Sequence, residues 1–303
     1  MTTGIENNGP GSVPISRADI QTITSALLGL TIVSETITAE CFRSEPPSDS
    51  YASGIFYSYD QDSGEKHVLD AFLYVQYSNL NGFDHVRALV ALLRANQVRT
   101  TALATLTRSA LEAFSRSWFL LSAERPGTLT HRVISLLHAE LKYPELYRFV
   151  LHTNDGDAVD PKEKRIYYRN ELKRLGLPLA VKIEFSQLVA DLLDHHLDGE
   201  SGLERYSDLS AIAHGLRLGV NSFVARNDKG AIERLIAPRD LVMNWATEIV
   251  VSMSAPMDAL IEAFGENTRH QELLRSAKRR AVAAIESISL VGQSDEQQDI
   301  GSS

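Results

Sequence analysis

Residues 100–121 read TTALATLTRSALEAFSRSWFLL, and the spacing of their apolar and charged members decides the fold class. With successive residues about 100° apart, Leu103, Leu106, Ala110, Phe114, Ser117 and Leu121 gather on one side. The only charges, Arg108, Glu112 and Arg116, recur every four residues along the other side. This is the period of an amphipathic α-helix with a charged stripe. Neighbouring ion pairs at that spacing each support a helix by a few tenths of a kcal/mol.

The same period runs through most of the chain. Ser16 followed by Asp19 opens an apolar-rich helix to about residue 42, and residues 43–54 read as a loop. A short strand or turn is expected within 56–66. Helices follow at about 67–80 and 82–96, divided at Asn81–Gly82, and a helix over roughly 100–123 is closed by Pro126. The next, about 128–152, should kink or break at Pro144. Asp160 and Pro161 open a helix as N-cap and first helical residue, with Glu163 completing a capping box. Further helices are expected at about 184–197, 202–224, 239–264 (interrupted at Pro256) and 267–289. Residues 224–236, with Asp228–Gly230 at the tip, suit a small β-hairpin. The predicted class is therefore all-α: a multi-helix bundle over residues 15–290, with a sub-division near 153–160. Residues 1–14 and 291–303 are read as disordered tails.

Composition narrows the function classes. The chain has 303 residues, 44% hydrophobic and 23% charged, an ordinary globular balance. Thirty Lys and Arg against 39 Asp and Glu give a net charge of −9, which disfavours a broad phosphate-binding surface. Cys41 is the only cysteine, so neither an intrachain disulfide nor a thiolate metal cluster can form, and a reducing cytoplasmic setting is expected. No signal-peptide pattern opens the chain and no run of about 18 apolar residues occurs, so no membrane association is expected. A Gly-rich phosphate loop, a nucleophile elbow and a zinc-protease motif are all absent, and no cofactor or metal is implied. Asp191 and His195 within DLLDHHLD are four apart, but no third ligand shares their face.

A second polar stripe lies in residues 202–224. Read as one helix, Leu209, Ile212, Leu216, Val220 and Phe223 form a core face, and Ala211, Gly215, Gly219 and Ser222 a face of small residues. Tyr206, Ser210, His214, Arg217 and Asn221 form the third face. A solvated face usually carries Lys and Glu, whereas these residues favour directed hydrogen bonds, so this side should be partly enclosed. If both stripes face one cleft, Glu112 would orient His214 and Arg108 would hold an anion. Arg108, Glu112, Tyr206, Ser210, His214, Arg217 and Asn221 are thus the candidate ligand-binding residues. Such polar groups often do no more than satisfy one another and specify packing.

Two resemblances bear on function. Arg132 and His138, in HRVISLLHAEL, resemble the Arg-x(4–6)-His signature of HEPN-domain ribonucleases, helical proteins that dimerise and cleave RNA without a metal. The resemblance implies catalytic roles for both: Arg132 stabilising the phosphorane and His138 moving protons. RNA contact also suits the basic stretch PKEKRIYYRNELKRL, with Tyr167 and Tyr168 interleaved, and the RSAKRRA segment. The arrangement of Arg108–Glu112 and Tyr206–Gly215 resembles uncharacterised helical bacterial proteins carrying Arg-x3-Glu and Tyr-x2-Leu-Ser-x3-His-Gly segments; that likeness implies a fold and no activity. The expectation is a helical interaction or regulatory protein, homo-oligomeric or bound to a protein partner. A HEPN-like ribonuclease and a small-ligand cleft stand as alternatives.

Overall fold

The computed structural model describes residues 13–43, 45–58, 67–95, 100–142, 151–152, 158–197, 202–227 and 229–299. Within them the protein is all-α, with eleven helices and two small antiparallel β-ribbons. In chain order the helices begin with α1 (Arg17–Arg43), α2 (Tyr51–Ser58), α3 (His67–Arg94), α4 (Thr100–Leu121) and α5 (Pro126–Glu140). After the ribbon β1 (Leu151–His152) and β2 (Ala158–Val159) come α6 (Pro161–Arg174), α7 (Phe185–His196), α8 (Gly202–Ala213) and α9 (Arg217–Asn221). The ribbon β3 (Val224–Arg226) and β4 (Ile232–Leu235) precedes α10 (Arg239–Ala263) and α11 (Thr268–Asp299).

Helix α4 is the hub. It packs along α3 and against α10, α7, α8 and α5, while α1 closes the other side against α3, α10 and α11. Leu103, Ala110, Leu111, Phe114 and Leu120 are fully buried in it, so the apolar face meets neighbours along its whole length. α1 is long and apolar enough to cross a membrane by length and composition, but Ile23, Leu27, Leu30 and Ile37 are buried in the bundle core.

Local chemistry explains the helix starts. The Ser16 hydroxyl accepts from the Asp19 backbone N–H at 3.0 Å, and the Asp160 carboxylate accepts from the Lys162 N–H at 2.8 Å with Pro161 next to it. Pro126, expected to close one helix, instead opens α5 as an N-terminal proline. Residues 51–58 form α2, where loop, then strand or turn, was expected. The projected division at Asn81–Gly82 is absent: α3 runs 28 residues without interruption. Gly82 is there because a Cβ would lie 2.5 Å from the Phe114 ring, so it lets α3 and α4 close together. Pro256 does not interrupt α10 either. Its cost of about 3 kcal/mol is offset by burial of Met253, Met257, Leu260 and Ile261 around it.

Two differences concern the later chain. The helix expected over 202–224 stops at Ala213. Gly215 takes φ +68°, its N–H bonds the Ile212 carbonyl at 2.9 Å, and the Leu216 N–H bonds that of Ala211 at 2.9 Å. That pair of bonds is a Schellman cap. The chain then folds back as α9, and a Cβ on Gly219 would lie 2.8 Å from the Ala211–Ile212 backbone. Gly219 therefore lets α9 pack on the end of α8 at Ala211, while Gly215 serves the cap. At the C-terminus, α11 continues to Asp299, through most of the stretch read as a disordered tail. The β3–β4 hairpin forms where it was expected, Val224 opposite Leu235. Pro144 and the 153–157 segment lie outside the described residues.

Candidate functional site

The two stripes meet at the α4–α8 seam. Tyr206, 8% exposed, donates its hydroxyl to Glu112 Oε1 at 2.8 Å, and the same carboxylate oxygen takes Arg108 Nε at 2.9 Å. Arg108 Nε also reaches the Tyr206 hydroxyl at 3.1 Å, and its guanidinium carbon lies 5.0 Å from the ring centroid. The second Glu112 oxygen is 3.6 Å from Arg116 NH2, and Arg116 lies over the Phe185 ring at 4.4 Å. Burial first, then Glu112, push the Tyr206 phenol up to about 12 against the pull of Arg108, so it stays a donor.

His214 joins through Arg108, whose NH1 lies 3.2 Å from Nε2. A guanidinium can only donate, so that contact requires Nε2 as acceptor and the imidazole proton on Nδ1. Glu112 therefore does not orient His214, as the stripes had suggested. It neutralises Arg108, which in turn holds the histidine. His214 is exposed and stands at the C-cap of α8, where a helix end favours the nearby guanidinium. Ser210 is half-buried between Tyr206 and His214.

Arg217 and Asn221 leave this group. The Gly215 turn carries both onto α9, exposed, and Asn221 accepts from Arg226 NH2 at 3.1 Å. The stripe was drawn as if one helix continued, and the glycine cap breaks that register. One neighbour was missed: His85 on α3 lies close enough to feel Arg116 and Glu112. Burial first, then Arg116, lower its pKa, while Asp84 and Glu112 oppose them.

Arg132 and His138 have separate surroundings. Arg132 NH1 donates to the Phe119 carbonyl at 2.5 Å and to Ser122 Oγ at 3.0 Å, closing the C-terminal end of α4, and it stacks on Phe119 at 4.7 Å. His138 is near Arg165 and Arg169 of α6; burial first, then those charges, lower its pKa. Six residues on a helix turn the two side chains about 120° apart. On α6, Lys164 lies over both Tyr167 and Tyr168, and Tyr168 is buried, which removes one ring from the interleaved face.

A buried charge cluster escaped the sequence reading. His67 Nε2 lies 3.0 Å from Glu171 Oε2, and Arg174 clasps the same carboxylate with two bonds of 2.8 and 2.7 Å. Arg174 first, then His67, hold the Glu171 carboxyl at about 2 against burial. Burial lowers the His67 pKa, yet Asp70 and Glu171 together carry it above the ordinary value. Nothing in the spacing signals this pair, whose members are 104 residues apart.

Cys41 is buried, and burial first, then Glu40, push its thiol to about 12, so it is no nucleophile. Asp191 accepts from Gln187, while His195 packs on Trp118. Among the described residues no three His, Cys, Asp or Glu side chains gather to hold a metal ion. Comparisons with protein-family models, with curated proteins and with solved structures gave no significant match.

Proposed function

We propose that this chain is a cytoplasmic interaction protein without catalysis of its own. It self-associates through the ledge formed by α9 and the β3–β4 hairpin, beside the Arg108–His214 network. The observation that carries this reading is the exposure of aliphatic side chains on that ledge. Leu218 is 87% exposed, and Leu216, Ile232 and Leu235 are each at least half exposed. Exposed aliphatic side chains concentrated in one short segment of chain support a contact site there. All four residues of β4 are exposed, and the strand pairs with β3 alone among the described strands, which leaves an edge open to a partner. A second apolar strip supports the same reading: Leu69, Leu73, Tyr77 and Leu80 lie at helical spacing along the outside of α3.

Sedimentation velocity tests the proposal. The wild-type chain should form a dimer or larger at about 100 μM, and Leu218→Glu with Ile232→Glu should return it to monomer with unchanged circular dichroism. A wild type that stays strictly monomeric overturns the reading.

A second reading, a small anionic ligand at the α4–α8 seam, has the local charge balance in its favour. Arg108 and Arg116 share the single Glu112 carboxylate, and Arg116 Nε finds no hydrogen-bond partner. An anion series followed by thermal shift tests it: stabilisation should vanish in Arg108→Gln and His214→Ala. The ribonuclease reading has the Arg132–His138 spacing behind it, with Arg132 already donating into the protein. EDTA-treated protein should leave single-stranded RNA intact, and cleavage that disappears in His138→Ala would favour the ribonuclease over the interaction protein.

A further inference from the structure

Away from the α4–α8 seam, a cleft of about 710 Å³ opens where α4, α7 and α10 end. Its size falls in the range of small-molecule sites. One wall is aromatic: Trp118 faces His195 (centroids 5.4 Å apart, planes at 41°) and His196 (5.8 Å, 70°). The two imidazoles stand at 87° to each other, 4.7 Å apart, so the three rings make a corner in which both imidazoles are exposed and the indole is half-buried. Glu124, Asp258 and Glu262 also line the cleft, and no Lys or Arg does among the described lining residues. The last turns of α4, α7 and α10 all contribute to its wall, bringing three helix carboxyl ends to one place. Each such end carries about half a negative charge. Arg132 takes the α4 carbonyl of Phe119, which offsets part of one of them. Lys278, 3.9 Å from Asp258, and Arg275 belong to a neighbouring depression that shares Asp258 and Glu262.

An indole-based corner attracts a cation through the negative faces of its rings, and an alkylated ammonium suits it because methyl groups meet the rings without requiring hydrogen bonds. The carboxylates supply the counter-charge. We propose that this cleft binds an alkylated ammonium ion, with Trp118, His195 and His196 as its aromatic wall and Glu124, Asp258 and Glu262 as its electrostatic one.

Acid should weaken binding. The charged and titratable groups around His196 are His195 on α7, Asp258 and Glu262 on α10, Glu124 after α4, Tyr51 on α2 and Lys278 on α11. Burial first, then His195 and Lys278, hold the His196 pKa below its ordinary value, so the ring is neutral at pH 7 and gains a competing positive charge only on acidification.

Isothermal titration of the full chain with choline is the test, alongside its neutral isostere 3,3-dimethyl-1-butanol and a peptide carrying trimethyllysine. Choline should bind saturably at about pH 7.5 and several-fold more weakly at about pH 5. The neutral alcohol should bind at least about tenfold more weakly, and the Asp258→Asn, Glu262→Gln pair should weaken choline by about tenfold. Trp118→Leu should abolish binding, with circular dichroism confirming that each variant is folded. Tighter binding of the peptide than of choline would make a protein side chain the source of the cation; the reverse order makes it a free small molecule. Choline binding no better than the alcohol, binding indifferent to the carboxamide pair, or no binding by any probe overturns the proposal.

Discussion

Tyr206, a buried residue, presents one hydroxyl to two partners at once, Glu112 and Arg108. Tyr206→Phe keeps the ring and its packing and should cost about 1 kcal/mol in urea unfolding, the net worth of a hydrogen bond. Glu112→Gln should cost more, about 2 kcal/mol, because two guanidiniums lose their shared counter-charge in a half-buried place. A double-mutant cycle between positions 108 and 206 should show non-additivity, and simple addition would mean the contact carries no energy. At this scale part of the network was legible. The four-residue spacings of Arg108–Glu112 and Tyr206–Ser210–His214 put like groups on one line, and spacing is local information. Which atom bonds which was not legible, since it depends on how α4 and α8 are offset. The His67–Glu171–Arg174 cluster was invisible for the same reason, its partners being joined only by the tertiary fold.

Helices α1 and α6 start at side-chain caps that the sequence predicts, and α6, α8 and α10 each run into a glycine at positive φ. Gly82 and Gly215 are both glycines within helical pattern, yet one lies mid-helix against a phenyl ring and the other ends a helix at positive φ. Sequence period alone cannot separate the two uses, because the deciding neighbour of Gly82 is Phe114 on another helix. Substitution separates them. Gly215→Ala should cost about 1–2 kcal/mol through backbone strain alone, with open space for the methyl group. Gly219→Ala meets backbone at 2.8 Å and should both destabilise the protein and loosen α9, seen as faster amide exchange in residues 217–221. Equal protection in the two variants would contradict the close packing of α9 on α8.

For the molecule as a whole, acid and base stability should turn on the bridge between α3 and α6. Glu171 has its carboxyl depressed to about 2, so its contribution is complete above the ordinary carboxylate range and is lost as pH falls from there toward 2. His67 has its pKa raised, so its contribution is complete below the ordinary imidazole value and is lost as pH rises through the folded one. The bridge should therefore be strongest between about pH 4.5 and 6.5. His67→Gln should flatten the upper limb of a stability–pH profile and cost roughly 3 kcal/mol near pH 6, the low end for a broken buried pair because Arg174 remains. The all-α class was legible from hydrophobic period over the long helices. The bare aliphatics of α9 and the hairpin were not, because Leu216 and Phe223 read alike in the chain, yet one faces outward and the other is fully buried.

Phe223 stacks on Trp245 with centroids 5.9 Å apart and planes at 23°, joining the α9–hairpin segment to α10 through an aromatic contact. Anything that lifts that segment draws Phe223 off the indole and wets it, shifting Trp245 emission to longer wavelength. The chain thus carries its own optical gauge: a spectrum taken during association would separate a partner that merely covers the segment from one that levers it away.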